Sequence, residues 1–135
     1  MAGKAVIVHS LEHARAALAA AAALGVPVTL ASAPGASAYA GPGWFQEMTA
    51  LAAAEVPQAA FEAVIDCADR PGEVLLALRL GLTRVRFTGK AAVARKLAAI
   101  AEQSGAELVT GRLRALDLRG AADPLAACRA WLAPK

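Results

Sequence analysis

Aromatic side chains are scarce in this chain, which has three Phe, two Trp and one Tyr in 135 residues. In the second half only Phe87 and Trp131 occur, too few for the successive stacking platforms of a nucleic-acid surface. Nucleic acid is therefore not the expected partner, although Lys90, Arg95, Lys96, Arg112, Arg114 and Arg119 crowd into that half. Cysteine is as sparse. Cys67 and Cys128 lie far apart and outside any pairing motif, which reads as two buried free thiols rather than a disulfide. Asp66 and Asp69 flank Cys67 and would raise its pKa, which disfavours a nucleophilic role.

Charge is missing altogether between Arg15 and Glu47. The segment "AALAAAAALGVPVTLASA" within it offers an apolar run ending in an Ala-x-Ala-like site, as a signal peptide would. Gly25 and Pro27 interrupt that run, "VPVTL" is β-branched like a strand, and "KAVIVHS" ahead of it is itself a strand pattern. The expectation is a soluble cytoplasmic chain that keeps its N-terminus and has no membrane partner.

Complete catalytic motifs are absent too. "TGK" at 88–90 has Arg84 where a P-loop needs its first glycine, and Ala91 where it needs Ser or Thr. "GASAY" at 35–39 misses the last position of the G-x-S-x-G elbow. His9 and His13 are four apart but straddle a strand-to-helix junction, so they do not make the one-face helical pair of a zinc site. No metal is expected and no cofactor is identified.

What the chain does have is alanine, 38 residues of it, which makes a 58% hydrophobic composition helix-rich rather than oily. Residues 1–67 hold two cations against five carboxylates, net −3, and residues 68–135 twelve against six, net +6. The pattern alternates. Strands are expected at 4–10, 26–32, 61–69, 83–89 and 106–111, with 113–118 either a sixth short strand or an extended connection. Helices are expected at 11–25, 44–56, 70–81, 90–105 and 124–132, with Asp69 capping the third and Asp123-Pro124 opening the last. Two helical stripes stand out, Trp44, Met48, Leu51 and Glu55 in one and Val93, Leu97 and Ile100 in another.

This is an α/β pattern. It predicts a single domain over 1–135 with a five-stranded, mostly parallel sheet, either a flavodoxin-like three-layer sandwich or half of a (βα)8 barrel. "TRVRF" and "FEAVID" alternate charged with apolar residues, so one face of those two strands is polar, as at a sheet edge or inside a barrel-like array. Residues 64–111, "VIDCADRPGEVLLALRLGLTRVRFTGKAAVARKLAAIAEQSGAELVTG", resemble consecutive βα units of phosphate-binding (βα)-barrel enzymes. The resemblance implies a half-barrel or a flavodoxin-like sheet and carries over no catalytic residue.

In parallel α/β folds ligands bind beyond the carboxyl ends of the strands. That rim gathers His9 and Asp66 as candidate proton-transfer residues, with Asp66 pairing instead with Arg86 as the bland alternative. Ser32, Gly35, Thr88, Gly89, Lys90 and Arg112 are the candidate ligand-binding residues. The helix opening after "TGK" offers backbone N–H groups to an anion, with Lys90 as a point charge. The long Gly- and Pro-containing stretch at 33–43 reads as a flap over this rim, or as a loop docked at a subunit contact through Tyr39, Trp44 and Phe45. Two functions follow. One is the binding of a phosphorylated or carboxylated small molecule, with lyase- or isomerase-type chemistry; the other is a non-catalytic homo-oligomeric assembly or adaptor module, and a homo-oligomer is expected in either case.

Overall fold

The computed structural model describes residues 3–38 and 40–134. Along the chain run β1 (Lys4–Ile7), α1 (Leu11–Leu24), β2 (Val28–Ala31), a 3-10 turn (Ala36–Ala38), α2 (Pro42–Glu55), β3 (Phe61–Asp66) and α3 (Pro71–Arg79). Then come β4 (Arg84–Arg86), α4 (Ala91–Gln103), β5 (Glu107–Val109), β6 (Ala115–Asp117) and α5 (Pro124–Leu132). The fold is α/β with parallel pairing, and the ambiguous 113–118 stretch supplies the sixth strand.

The chain divides into two compact units. The first holds the residues up to Ala31, Glu47–Glu62 and those from Leu113 on. Here β1 pairs in parallel with β2 on one edge and with β6 on the other, Val6 lying opposite both Leu30 and Leu116. A flavodoxin-like order would place β3 beside β1; β6 takes that position instead. The local reasons for α1 are plain. Ser10 caps its start by accepting from the His13 amide, and Gly25, at φ 67°, closes its end with a left-handed turn that an L-side chain would strain. Ala14, Ala17, Ala20 and Ala21 are buried with Leu18, and their small size lets α5 pack closely along α1, with Cys128 and Leu132 as the buried residues of α5. Asp123 caps α5 as the sequence predicts, accepting from the Ala126 amide.

The second unit holds Ser32–Gln46 and Ala63–Arg112. β4 lies between β3 and β5, with Val85 opposite Ile65 and Leu108, and Arg86 opposite Asp66 and Val109. Right-handed crossovers put α3 and α4 on one face of these strands, and the two helices touch. Because side chains alternate, Ile65, Val85 and Phe87 form the buried apolar layer. The other face carries Asp66, Arg84 and Arg86, so the expected polar face of strands three and four is realised.

Three local expectations shift. Arg70, not Asp69, occupies the N-cap of α3 and makes no side-chain cap bond; Pro71 sets the first turn. α2 begins at Pro42 rather than Trp44 and buries Phe45, Met48, Thr49 and Ala52, leaving Trp44 and Leu51 exposed, so its apolar stripe is rotated by one residue from the expected one. In α4 the buried positions are Leu97 and Ala101 while Ile100 is exposed, because the helix packs through its smaller side chain.

Candidate functional site

At the end of β3 in the second unit, Asp66 is buried, with 5% exposure, and holds its surroundings together. One carboxylate oxygen accepts from the amides of Gly35 (3.0 Å) and Ala68 (2.8 Å), and the other from Arg86 Nη1 (3.3 Å). Its own amide donates to Ser32 Oγ at 2.8 Å, and that hydroxyl donates to the Ala33 carbonyl. Ala68 has a positive φ of 52°, rare for a residue with a Cβ; its amide bond to Asp66 and its carbonyl bond from the Thr88 amide hold it there. The stretch at 33–38 is thus tethered: Ser32, Ala33, Gly35, Ala36 and Ser37 are buried, and Ser37 donates to Glu73. Gly35 spends its amide on Asp66, so that N–H is not open to a ligand as the flap reading expected. Tyr39 lies outside the described residues.

Beyond the ends of β4 and β5 the same unit has a cleft of about 630 Å³ against the first turns of α4. Of the rim residues named from the sequence, Thr88, Gly89 and Arg112 line it, joined by Arg86 and Arg95. Lys90 does not line it; it caps α4 without a side-chain bond, so first-turn N–H groups of the helix lack a side-chain partner. Arg86 reaches across the cleft's base to the Gly111 carbonyl, and its buried Nε has no hydrogen-bond partner among the described residues. Ion pairs here include Arg84–Glu107 and Arg86–Asp66, and among the described residues Arg95 and Arg112 have no carboxylate partner. Gly89 is required sterically: a Cβ there would stand 2.4 Å from the ring of the buried Phe87. Arg95 is not among the rim residues expected from the sequence, and its place on the first turns of α4 brings it to the cleft.

At the carboxyl ends of β1 and β6 in the first unit, His9 Nε2 lies 2.6 Å from Asp117 Oδ1. The His9 amide donates to His13 Nδ1 at 3.1 Å, and the two rings meet edge to face. Accepting at Nδ1 puts the proton of neutral His13 on Nε2. Burial first, and then the neighbouring His9, push the His13 pKa below its ordinary value. For Asp117, burial works upward, but the Arg119 amide and His9 outweigh it and hold the carboxyl below its usual range. An imidazole braced by a carboxylate is suited to proton transfer through its remaining nitrogen. Asp66, named beside His9 in the sequence, is the hub described above, whereas the carboxylate at His9 is Asp117, which the sequence reading did not single out. The thiols are inert by comparison: burial pushes both Cys67 and Cys128 up to about 11. Among the described residues no group of three His, Cys, Asp or Glu side chains could hold a metal ion, and no helix is long and apolar enough to cross a membrane.

No protein-family model matches the chain, and no curated protein matches it. Solved structures do. One, from Coccidioides immitis and described as a fructose-1,6-biphosphate aldolase, superposes with a TM-score of 0.66 at 20% identity, covering 81% of this chain and 45% of its own. Another, from Sinorhizobium meliloti 1021 and described as a tagatose 6 phosphate kinase, superposes with a TM-score of 0.62 at 16% identity, covering 95% and 43%. At these identities the likeness is one of fold, and the chain spans less than half the length of either structure.

Proposed function

We propose that this chain binds a phosphorylated small molecule beyond the carboxyl ends of its strands, with the cleft at the start of α4 as the anion site. The observation that carries the reading is the convergence of Arg86, Arg95 and Arg112 on one cleft beside an uncapped helix start. Guanidinium groups match phosphate oxygens two at a time, and exposed N–H groups with the positive helix end add to them. The names of the two fold neighbours denote proteins acting on sugar phosphates, which favours phosphate over carboxylate. Within the first unit by itself, the His9–Asp117 pair is suited to proton transfer of the kind a lyase- or isomerase-type reaction uses, with His9 exchanging the proton and Asp117 orienting the ring. Two free thiols support a reducing, cytoplasmic setting.

Calorimetric titration with inorganic phosphate and fructose 1,6-bisphosphate tests the site. Removing one charge-assisted contact weakens binding by roughly ten- to a hundredfold, so Arg112→Ala and Arg95→Ala should each do so. Lys90→Ala should weaken it less. Absent binding, or binding indifferent to both arginine variants, overturns the reading.

A separate observation favours a homo-oligomer. Leu75 and Leu76 on α3, and Leu80 just after it, are each about two-fifths exposed. Light scattering should give a mass above 13.7 kDa that falls to the monomer value in Leu76→Glu; a monomer in the natural protein excludes it.

A further inference from the structure

The first unit carries another cleft, at the amino ends of its strands, where Lys4 opens β1, Pro27 precedes β2 and Arg114 precedes β6. In parallel strands this is the edge away from His9 and Asp117. Its volume, about 920 Å³, is that of an ordinary small-molecule site. Trp131, near the end of α5, is held at two points: its indole N–H donates to the Ala5 carbonyl (2.9 Å), and its own carbonyl accepts from Lys4 Nζ (2.9 Å). Two cations approach that fixed ring, Lys4 Nζ at 5.2 Å and Arg114 Cζ at 5.4 Å from its centroid. Ion pairs of this unit include His9–Asp117 and Arg15–Glu55, and among the described residues neither Lys4 nor Arg114 is in one. Pro27, Leu132 and Pro134 supply apolar walls.

We propose that this cleft binds a small aromatic monocarboxylate, its acid group between Lys4 and Arg114 and its ring packed against Trp131 and Pro27. The charge pattern selects the class. Two cations in an otherwise apolar cleft favour an occupant that is mostly apolar and carries a single negative group, which an uncharged ligand does not offer them. A phosphate dianion would leave the apolar walls in contact with water, and it lacks the body that fills the volume. The site is separate from the arginine-lined cleft, so its fate and that of the phosphate reading are independent.

Trp44 is exposed, so Trp44→Phe leaves Trp131 as the single tryptophan, read selectively by excitation at the red edge of its absorption. Titrating that protein with 4-phenylbutyrate should change its emission saturably. 4-Phenyl-1-butanol, the same body without the charge, should bind about tenfold more weakly, as should the acid to an additional Arg114→Ala variant, since each removes a charge-assisted contact. Arg114 is exposed, and circular dichroism of the variant confirms that it folds. Inorganic phosphate should leave the emission change unaffected. The proposal is overturned by a flat titration, by equal affinity for acid and alcohol, by indifference to Arg114→Ala in a folded variant, or by displacement of the acid by phosphate.

Discussion

His9 Nε2 and Asp117 Oδ1 stand 2.6 Å apart although 108 residues separate them in the chain. Pairing of β6 beside β1 makes this contact; against burial, the Arg119 amide first and then His9 hold the Asp117 carboxyl below the usual range. A carboxyl depressed in the folded state stabilises at pH values above its unfolded pKa of about 3.9, and the contribution disappears as pH falls through the folded value. Thermal melts from pH 6 down to pH 2.5 should show a stability loss that is smaller in Asp117→Asn. Parallel curves for the two proteins would contradict this.

His13 should act in a higher window. Its folded pKa is depressed, so the unfolded chain binds the extra proton first, and stability should rise with pH up to about 6.5 and then level off. His13→Asn keeps an acceptor for the His9 amide while removing the titration. Urea unfolding at pH 5 and pH 7.5 should give a smaller difference between the two pH values for the variant than for the natural protein.

Gly89→Ala should cost about 1–3 kcal/mol, because the new methyl overlaps the buried Phe87 ring, which must shift to admit it. The same displacement distorts the cleft wall. Phosphate affinity measured on the folded variant should therefore fall together with the urea midpoint, and an unchanged midpoint would show that Phe87 moves freely.

Asp66→Ala should be among the more damaging single changes, at about 3–5 kcal/mol, because it leaves Arg86 without its carboxylate and frees the Gly35 and Ala68 amides at once. Limited proteolysis should then cut within 33–38, a stretch that Asp66 ties down in the natural protein.

Both thiols should resist iodoacetamide at pH 8 in the native protein and react promptly in 6 M guanidinium, since thiols near 11 are almost wholly protonated at that pH. Rapid native labelling of either one contradicts the burial.

Much of the fold is local and was therefore readable. Gly25, Pro71 and Asp123-Pro124 act within a turn of themselves, and their helix boundaries appear in the structure at or near the expected positions. The alternation in "TRVRF" likewise foretold that Arg84 and Arg86 share one face with Val85 on the other. Helical stripes were less legible because alanine blurs them: beside Phe45 and Met48 in α2 and Leu97 in α4, the packing buries Ala52 and Ala101 and leaves the adjacent Leu51 and Ile100 exposed.

The sequence by itself determined the alternation of elements, the parallel α/β class and the set of residues that reach the strand ends, because periodicity, capping and turn chemistry act over a few residues. Which of those residues meet was decided by tertiary structure alone. Asp66 met Gly35 and Arg86, Asp117 met His9, and Arg95 entered the cleft that Lys90 does not line. Such pairings depend on strand order and on where a helix lands against a strand end, and those follow from long-range burial that no window of the sequence contains.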